Sequence, residues 1–394
     1  MRGGAPPTGT TIKIAVLANE FFDATLGRIG GFGWASSQVA HCLKDYAPRV
    51  EVVFLTGELQ AAPGQTETTV HGTRLVLRRG STLPDIRRTR AERPDLLLVI
   101  DYRPNYRLVC WALPKTPMIV WVRDPRPSED VEKVDSLRIP GAEDTRPKGI
   151  LQPDCSSLGT LARVGRWIGR PVLFASTASF LQDKLSRMIG MEVPDLSFLP
   201  NPIDLAPGVV RKSERPRVVS LARLDPYKRP WLCIELARRF PHVDFILAGH
   251  AHYEGQGAWN PNALPPNVQL VGHVDGPEKV RLLASAWVLV NTSIHEGLPV
   301  SMLEALACET PLLACVNPDG IVSRFGVYAG RFDETGLDAV PHLAAGLDRL
   351  LSDAALRERL GRDGRCWIEA THNRAAFLTS FHRLCARCGV HWNA

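Results

Sequence analysis

Five short apolar runs follow one another through the first half of this chain, and they leave it little freedom of architecture: IKIAVLA (12–18), VEVVFLT (50–56), DLLLVID (95–101), PMIVWV (117–122) and PVLFAS (171–176). Helix-like patterns at about 34–46, 104–112, 157–169 and 179–190 separate them. Strands that are apolar on both faces must be covered on both faces, and alternation with helices then calls for a parallel sheet between helical layers. A second series, RVVSLA, VDFILAG, VQLVG, WVLVNTS and PLLAC, begins after the Pro-rich, charged stretch PNPIDLAPGVVRKSERP (200–216). At 394 residues the chain is too long for one ordinary core. The expectation is α/β, with two Rossmann-like domains facing a central cleft and ligands bound outside the carboxyl ends of the strands.

The divisions read as a disordered tail (1–10), an N-terminal Rossmann-like domain (11–205), a C-terminal Rossmann-like domain (206–375) and a last helix (376–394) packing back on the first domain. The start, MRGGAPPTGT, lacks the apolar core of a signal peptide, and there is no run of eighteen apolar residues. A cytoplasmic location follows as an expectation. Several of the nine cysteines (Cys110, Cys233 and Cys315 among them) lie inside apolar runs, as packed, reduced thiols do. A net charge of +6, carried mainly by arginine, suits anionic ligands or an anionic membrane face. Nucleic acid is not expected as a partner, because no arginine-rich arm or RNA-binding aromatic signature accompanies the charge.

The chemistry concentrates after the first strand of the second series. SLARLDPYKRP sets Arg223 at the strand's end and Lys228 five residues on, a forked and a point cation suited to a diphosphate. LAGHAHYEG, with Gly249, closes the next strand, and NTSIHEGLPVSMLEALACETPLLA places Glu296 before a helix and Glu304 within it. On spacing alone the two carboxylates also read as an acid and base pair, or as one solvated and one capping glutamate.

This succession resembles the C-terminal domain of retaining GT-B glycosyltransferases of family 4 (glycosyl transferases group 1): an Arg/Lys pair, a glutamate, seven residues and a second glutamate. It is strong over about 215–325 and weaker from 12 to 205. The resemblance implies the GT-B fold and retaining, metal-independent transfer of a sugar from a nucleoside diphosphate, UDP or GDP, to an acceptor hydroxyl, with no cofactor. Arg223 and Lys228 would hold the diphosphate, Glu296 the sugar hydroxyls and Glu304 the ribose. Gly297, Leu298, Pro299, Val300 and Ser301 would form a helix start aimed at donor oxygens, with Pro299 in the first turn. Gly320 would lie in the loop with Asn317 and Asp319, near the donor. Gly30 and Gly31 would form the N-terminal glycine loop, where backbone can approach a phosphate or sugar closely.

Departures from the family are informative. Where many relatives carry a histidine near the donor sugar, this chain has Arg123 and Asp124. Arg123 reads either as an electrostatic partner for the leaving diphosphate or an anionic acceptor, or as a plain contact with Asp124. Ala222, Pro202 and Glu309 stand where relatives favour glycine, and Glu309 is the oddest, a negative charge ending a helix. The acceptor, a small molecule, a glycan or a lipid-linked sugar, is expected near Trp34, Tyr102, Arg103, Asn105, Arg126 and the long polar loop from Arg123 to Ser157. Two side features remain. His382, Cys385, Cys388 and His391 crowd one helix too closely to surround a zinc ion, so no metal is expected. LGTLARVGRWIGRP (158–171), with Arg163, Arg166 and Arg170 among apolar residues, reads as an ordinary helix or as a peripheral contact with the inner membrane face. Two further functions fit: coupling of a cyclitol or amino sugar to a non-hydroxyl acceptor, and non-catalytic binding of a nucleotide sugar.

Overall fold

Register and burial follow from the runs read above. The computed structural model describes residues 11–18, 20, 30–46, 48–56, 64–77, 83–101, 106–147, 157–206, 208, 210–261 and 263–392. The chain divides into two units, one of Met1–Pro125, Asp154–Pro202 and Arg374–Ala394, the other of Arg126–Pro153 and Ile203–Asn373.

In the first unit the strands are β1 (Ile12–Leu17), β2 (Val50–Thr56), β3 (Glu67–Val70), β4 (Thr73–Leu77), β5 (Leu96–Val99), β6 (Met118–Val122), β7 (Val172–Ser176) and β8 (Ser197–Phe198). They form an eight-stranded sheet in the order β3-β4-β2-β1-β5-β6-β7-β8. All pairs are parallel except β3 and β4, a hairpin turned by His71 and Gly72, both at positive φ (48° and 78°). Helices α1 (Gly31–Lys44), α2 (Leu83–Glu92), α3 (Tyr106–Ala112), α5 (Ser157–Trp167) and α6 (Leu181–Ile189) pack with it; α4 (Ser128–Asp135) intervenes in the chain but belongs to the other unit. The last helix, α13 (Arg374–Arg387), lies in this unit. It puts Phe377 and Phe381, both fully buried, against Trp121 of β6, whose ring centroid is 5.4 Å from that of Phe377. At its start Arg374 donates to Asp45 at 2.6 Å.

The second unit carries β9 (Arg217–Leu221), β10 (Asp244–Ala248), β11 (Val268–Gly272), β12 (Val288–Asn291), β13 (Leu312–Ala314) and β14 (Gly326–Tyr328). These make an all-parallel sheet ordered β11-β10-β9-β12-β13-β14. Its helices are α4, α7 (Pro230–Arg239), α8 (Gly276–Ser285), α9 (Val300–Ala307), α10 (Ile321–Phe325), α11 (Ala339–Ser352) and α12 (Ala354–Thr371). Strand order reverses between β9 and β12, so a crevice opens at their carboxyl ends, where doubly wound sheets bind ligands.

Two sequence readings change. The stretch after Arg123 is not one long loop: α4 forms at 128–135, and Val134 and Leu137 enter the core of the second unit, so 126–153 leaves the N-terminal domain to which 11–205 assigned it. Helix α2 and strands β3, β4, β8 and β14 were not anticipated; each is short or poor in apolar periodicity. The tail at 1–10 lies outside the described residues.

Phe377→Ala empties a fully buried site between Trp121 and Phe381, and should cost about 3–5 kcal/mol in denaturant unfolding of the first unit.

Candidate functional site

The site in the second unit is built on one stitched pair of loops. After β9 the chain makes a tight turn, Pro226–Lys228, opened by Asp225 with Pro226 in its first position. Arg229 ends that turn at φ +50°, a conformation that a residue before proline seldom adopts. Its fully buried guanidinium holds it there, donating to the carbonyls of Thr292 (2.8 Å), Ser293 (3.1 Å) and Phe332 (2.6 Å). In return the Thr292 hydroxyl donates to the Lys228 carbonyl at 2.7 Å and the Ile294 amide to the Tyr227 carbonyl at 3.0 Å. The loop after β12 is thereby locked to the turn after β9.

That lock sets Lys228 against Glu296. The ammonium donates to Glu296 Oε1 at 2.6 Å, and the same oxygen accepts from Ser293 Oγ (2.7 Å) and Asn291 Nδ2 (3.1 Å). All three bonds converge on Oε1. Burial alone would push Lys228 towards neutrality, but Glu296 outweighs it and holds the ammonium above its usual pKa. Burial likewise penalises the Glu296 carboxylate, and Lys228 reverses the sign, keeping it below the usual range. Both groups are charged at neutral pH. Tyr227 lies under the cations, its ring centroid 4.6 Å from Lys228 Nζ and 5.5 Å from Arg223 Cζ, and Arg223 Nη2 donates to its hydroxyl.

Asp225, which sequence reasoning passed over, ties a third loop to this group. Its Oδ1 accepts from the amides of His252 (2.7 Å) and Tyr253 (2.9 Å), while Oδ2 lies 3.5 Å from Arg223 Nε. An aspartate opening a turn at D-P was the available signal. Gly249 begins that third loop at φ +141°, and a Cβ there would collide with the Ala222 carbonyl. Glycine is required at 249 by backbone approach.

Helix α9 starts one residue later than expected: Pro299 is its N-cap, extended at φ −64° and ψ 124°, and Val300 and Ser301 open the first turn. Their N–H groups have no acceptor within the helix, which follows from helical geometry. Gly297 and Leu298 are buried just before it. Glu304, within α9, pairs with Lys279 of α8 at 2.9 Å, and Lys279 also reaches Asp275 at 3.1 Å. Burial lowers the Lys279 pKa and the two carboxylates more than restore it, so the cation persists and screens Glu304. Lys279 lies one helix away in sequence, with no motif to announce it. Gly320 (φ +70°) follows Asp319 (φ +54°) in a turn whose Asn317 side chain accepts from the Val322 amide at 3.0 Å.

Glu309 occupies the left-handed position after α9, at φ +53°. The helix's terminal charge is answered by other cations: Lys212 donates to the Cys308 carbonyl at 3.0 Å, and Arg365 approaches the Glu309 carboxylate at 3.7 Å. Gly361 of α12 packs so closely on the Glu309 carbonyl that it has no room for a Cβ.

In the first unit, Arg123 is a buried cation rather than a free arm. Its Nη1 donates to Asn201 at 2.7 Å, and its Cζ lies 4.5 Å from the Trp121 ring and 5.6 Å from that of Trp34. Trp34 is thereby placed beside Arg123, and Asp124 is half-buried next in chain. Gly30 caps α1, and Glu20 reaches the Gly33 amide at 3.3 Å; a Cβ on Gly30 would strike the same carboxylate. Gly31 is exposed with open space around it. Arg126 is half-buried in the second unit. Tyr102, Arg103 and Asn105 lie outside the described residues. At the C-terminus His382 bonds the Trp392 carbonyl at 3.0 Å while Cys385 and Cys388 are buried in the core, and among the described residues no group of three or more His, Cys, Asp or Glu could hold a metal.

Comparison with known proteins agrees with this architecture. Residues 205–367, most of the second unit, match the family model of glycosyl transferases group 1. Over 220 residues the chain is 29% identical to the trehalose synthase of Rubrobacter xylanophilus, spanning 48% of this chain and about half (50%) of that curated relative. Among solved structures, Anabaena HepE in complex with UDP and glucose aligns at a TM-score of 0.66 and 14% identity, over 95% of this chain and 99% of that one. Sucrose-phosphate synthase from Thermosynechococcus elongatus gives 0.66 at 17% identity, over 95% and 98%. The fold is that of GT-B glycosyltransferases, and its second unit carries a glycosyl transferases group 1 domain.

Lys228→Ala strands Glu296 in a largely buried place and should cost about 2–4 kcal/mol, while the double variant with Glu296→Gln should lose clearly less than the sum of the singles. Because the Glu296 pKa is depressed, the stability it contributes is present above the unfolded value of 4.5 and is lost as pH falls through the folded one. The unfolding midpoint of wild type relative to Glu296→Gln should therefore stay level near neutrality and converge in acid. Glu309→Gly relieves a left-handed glutamate and should be more stable than Glu309→Ala by about 1 kcal/mol, read by the same denaturation.

Proposed function

We propose that this protein is a retaining glycosyltransferase that moves a sugar from a nucleoside diphosphate to an acceptor hydroxyl. The observation that carries the proposal is the Lys228 to Glu296 pair beside Arg223, at the reversal point of a parallel sheet inside a group 1 glycosyl transferase domain. A nucleoside diphosphate sugar presents a dianionic bridge between two polyols, and this site offers two cations, Arg223 and Lys228, with the Glu296 carboxylate against Lys228.

In this reading Arg223 and Lys228 meet the diphosphate, and Glu296 Oε2 accepts from hydroxyls of the sugar. Glu304 accepts from the ribose diol, held in place by Lys279. The leading amides of α9 face the phosphate or sugar oxygens. Transfer breaks the bond from the anomeric carbon to the phosphate oxygen and forms one to the acceptor oxygen on the same face. The departing phosphate oxygen takes the acceptor's proton, so no protein nucleophile and no metal enters the balance. As negative charge grows on that oxygen, the two cations stabilise it more than they stabilise the ground state, which lowers the barrier. Arg123, buried beside Trp121, is a fixed positive charge of the first unit where a titratable imidazole would otherwise stand, with Asp124 next to it in the chain. UDP or GDP is the expected carrier; HepE was crystallised with UDP.

Thermal-shift screening of UDP, GDP and their sugars should find one nucleotide that raises the melting temperature in a concentration-dependent way. Against that nucleotide sugar, measured by release of free diphosphate, Arg223→Ala should lower kcat/KM about 100-fold or more. Glu296→Gln should cut transfer with little change in affinity for the bare nucleotide diphosphate, whereas Glu304→Ala should weaken both. Equal effects of the two glutamate changes on bare nucleotide binding would remove the proposed division of labour. Tight binding without turnover across acceptors would leave a nucleotide-sugar binding protein.

A further inference from the structure

The arginine-rich helix singled out in the sequence changes meaning in the structure. Arg170 is buried beneath the surface, donating to the carbonyls of Thr116 at 2.6 Å and Cys110 at 3.3 Å, and Arg163 is spent on the Gly190 carbonyl at 2.9 Å. Arg170 cannot serve a partner. What Arg170 does instead is bolt the end of α5 to the end of α3. Arg90 adds α2 to the same junction, donating to the Ala112 carbonyl at 3.2 Å, and the Thr116 hydroxyl closes it on the Pro94 carbonyl at 3.3 Å.

All these segments precede strands: 93–95 runs into β5, 113–117 into β6 and 168–171 into β7. The junction is therefore the amino edge of the first unit's sheet. Trp167 stands on it 86% exposed, with Trp111 at 51% and Ile168 at 44%. Arg93, Lys115 and Arg166, in the same segments, are exposed as well. Of the carboxylates in these segments, Glu92 is buried in an ion pair with Arg74 at 2.8 Å, and Asp95 accepts from the Lys13 amide at 2.8 Å.

We propose that this amino-edge patch docks on an anionic lipid surface. Tryptophan rings favour the headgroup layer, where one end of the indole is apolar and the other wet. The cations draw the patch to acidic headgroups, about five-fold in partition for each, the factor equivalent to about 1 kcal/mol. The like charge of these three cations opposes self-association through a two-fold contact, which would bring two copies of the same basic patch together. A side chain as prominent as Trp167 also projects from the surface, as insertion into a headgroup layer requires, and does not line a recess for a partner's residue. Among the described residues no helix is long and apolar enough to cross a membrane, so contact of this kind is peripheral. Docking by the amino edge leaves the carboxyl edge of that sheet, with Arg123 and Trp34, facing water.

The test uses the full chain with vesicles of phosphatidylcholine, alone or containing phosphatidylglycerol. Sedimentation with the anionic vesicles should exceed that with neutral ones by at least ten-fold at low salt and fall steeply as salt is raised. Trp167→Ser should reduce binding at least five-fold, and Lys115→Glu with Arg166→Glu should abolish it. Circular dichroism and the melting temperature should be unchanged in both, since all three side chains are exposed. Equal binding to neutral vesicles, or variants that bind like wild type, would overturn the proposal. So would self-association, or capture of an acidic protein, that depends on Trp167 while vesicles are ignored.

Discussion

The buried guanidinium of Arg229 is the interaction on which the site depends. An arginine with no solvent contact costs free energy, and burial depresses its pKa, so its retention has to be explained by what it joins. It joins three carbonyls from two loops that otherwise share no strand pairing. Those bonds hold the backbone at positive φ, fix the preceding residue Lys228, and set the distance to Glu296. Gly336 belongs to the same device, since a Cβ there would strike the guanidinium. A lysine could donate to several carbonyls but lacks the planar fork that spreads them over two loops.

Because that scaffold is rigid, the charges beside it can be close without neutralising each other. Lys228 and Glu296 are each desolvated, and each is kept charged by its partner more strongly than burial opposes it. Lys279 and Glu304 repeat the pattern one helix away. The two pairs share a logic: a carboxylate is held in place by a lysine from another segment. Its orientation is thereby set before any ligand arrives, which limits the ordering cost of binding.

Much of this was legible in the sequence, and the reasons differ by element. The doubly apolar runs from IKIAVLA to PLLAC announced the parallel strands because a strand covered on both faces has no polar alternation to blur it. The places of Arg223 and Lys228 after β9, of Glu296 before α9 and of Glu304 within it were legible because they occur in one order with strong neighbours. Asp225 and Lys279 were not, since each acts through a partner distant in sequence, and a lone Asp or Lys in a turn or helix carries no signature. The stretch 126–153 was misassigned for the opposite reason: polar and Pro-rich to the eye, it hides Val131, Val134 and Leu137 at helical spacing, and their burial takes the whole stretch into the second unit. Glu309 looked like a violation of helix-end chemistry because Lys212 and Arg365, which answer its charge, are 97 and 56 positions away.

Glu20 and Arg123 show how charge is sorted in the first unit. A helix start with a glycine cap is a ready anion site, yet here Glu20 reaches into it from the same unit and satisfies the Gly33 amide. The end of β6, two strands along the sheet from β1, carries a cation, but one buried against Trp121 and bonded to Asn201, with its orientation set by packing. A free phosphate approaching α1 would have to displace a carboxylate from that amide. In the second unit the start of α9 has a proline cap and no side-chain cap, and Arg223 and Lys228 stand on the neighbouring strand end. Of the two helix starts, only the second is both uncapped and backed by cations at the point where strand order reverses. The dipole of α9 and the cations beside its start make it the more favourable of the two for an anion.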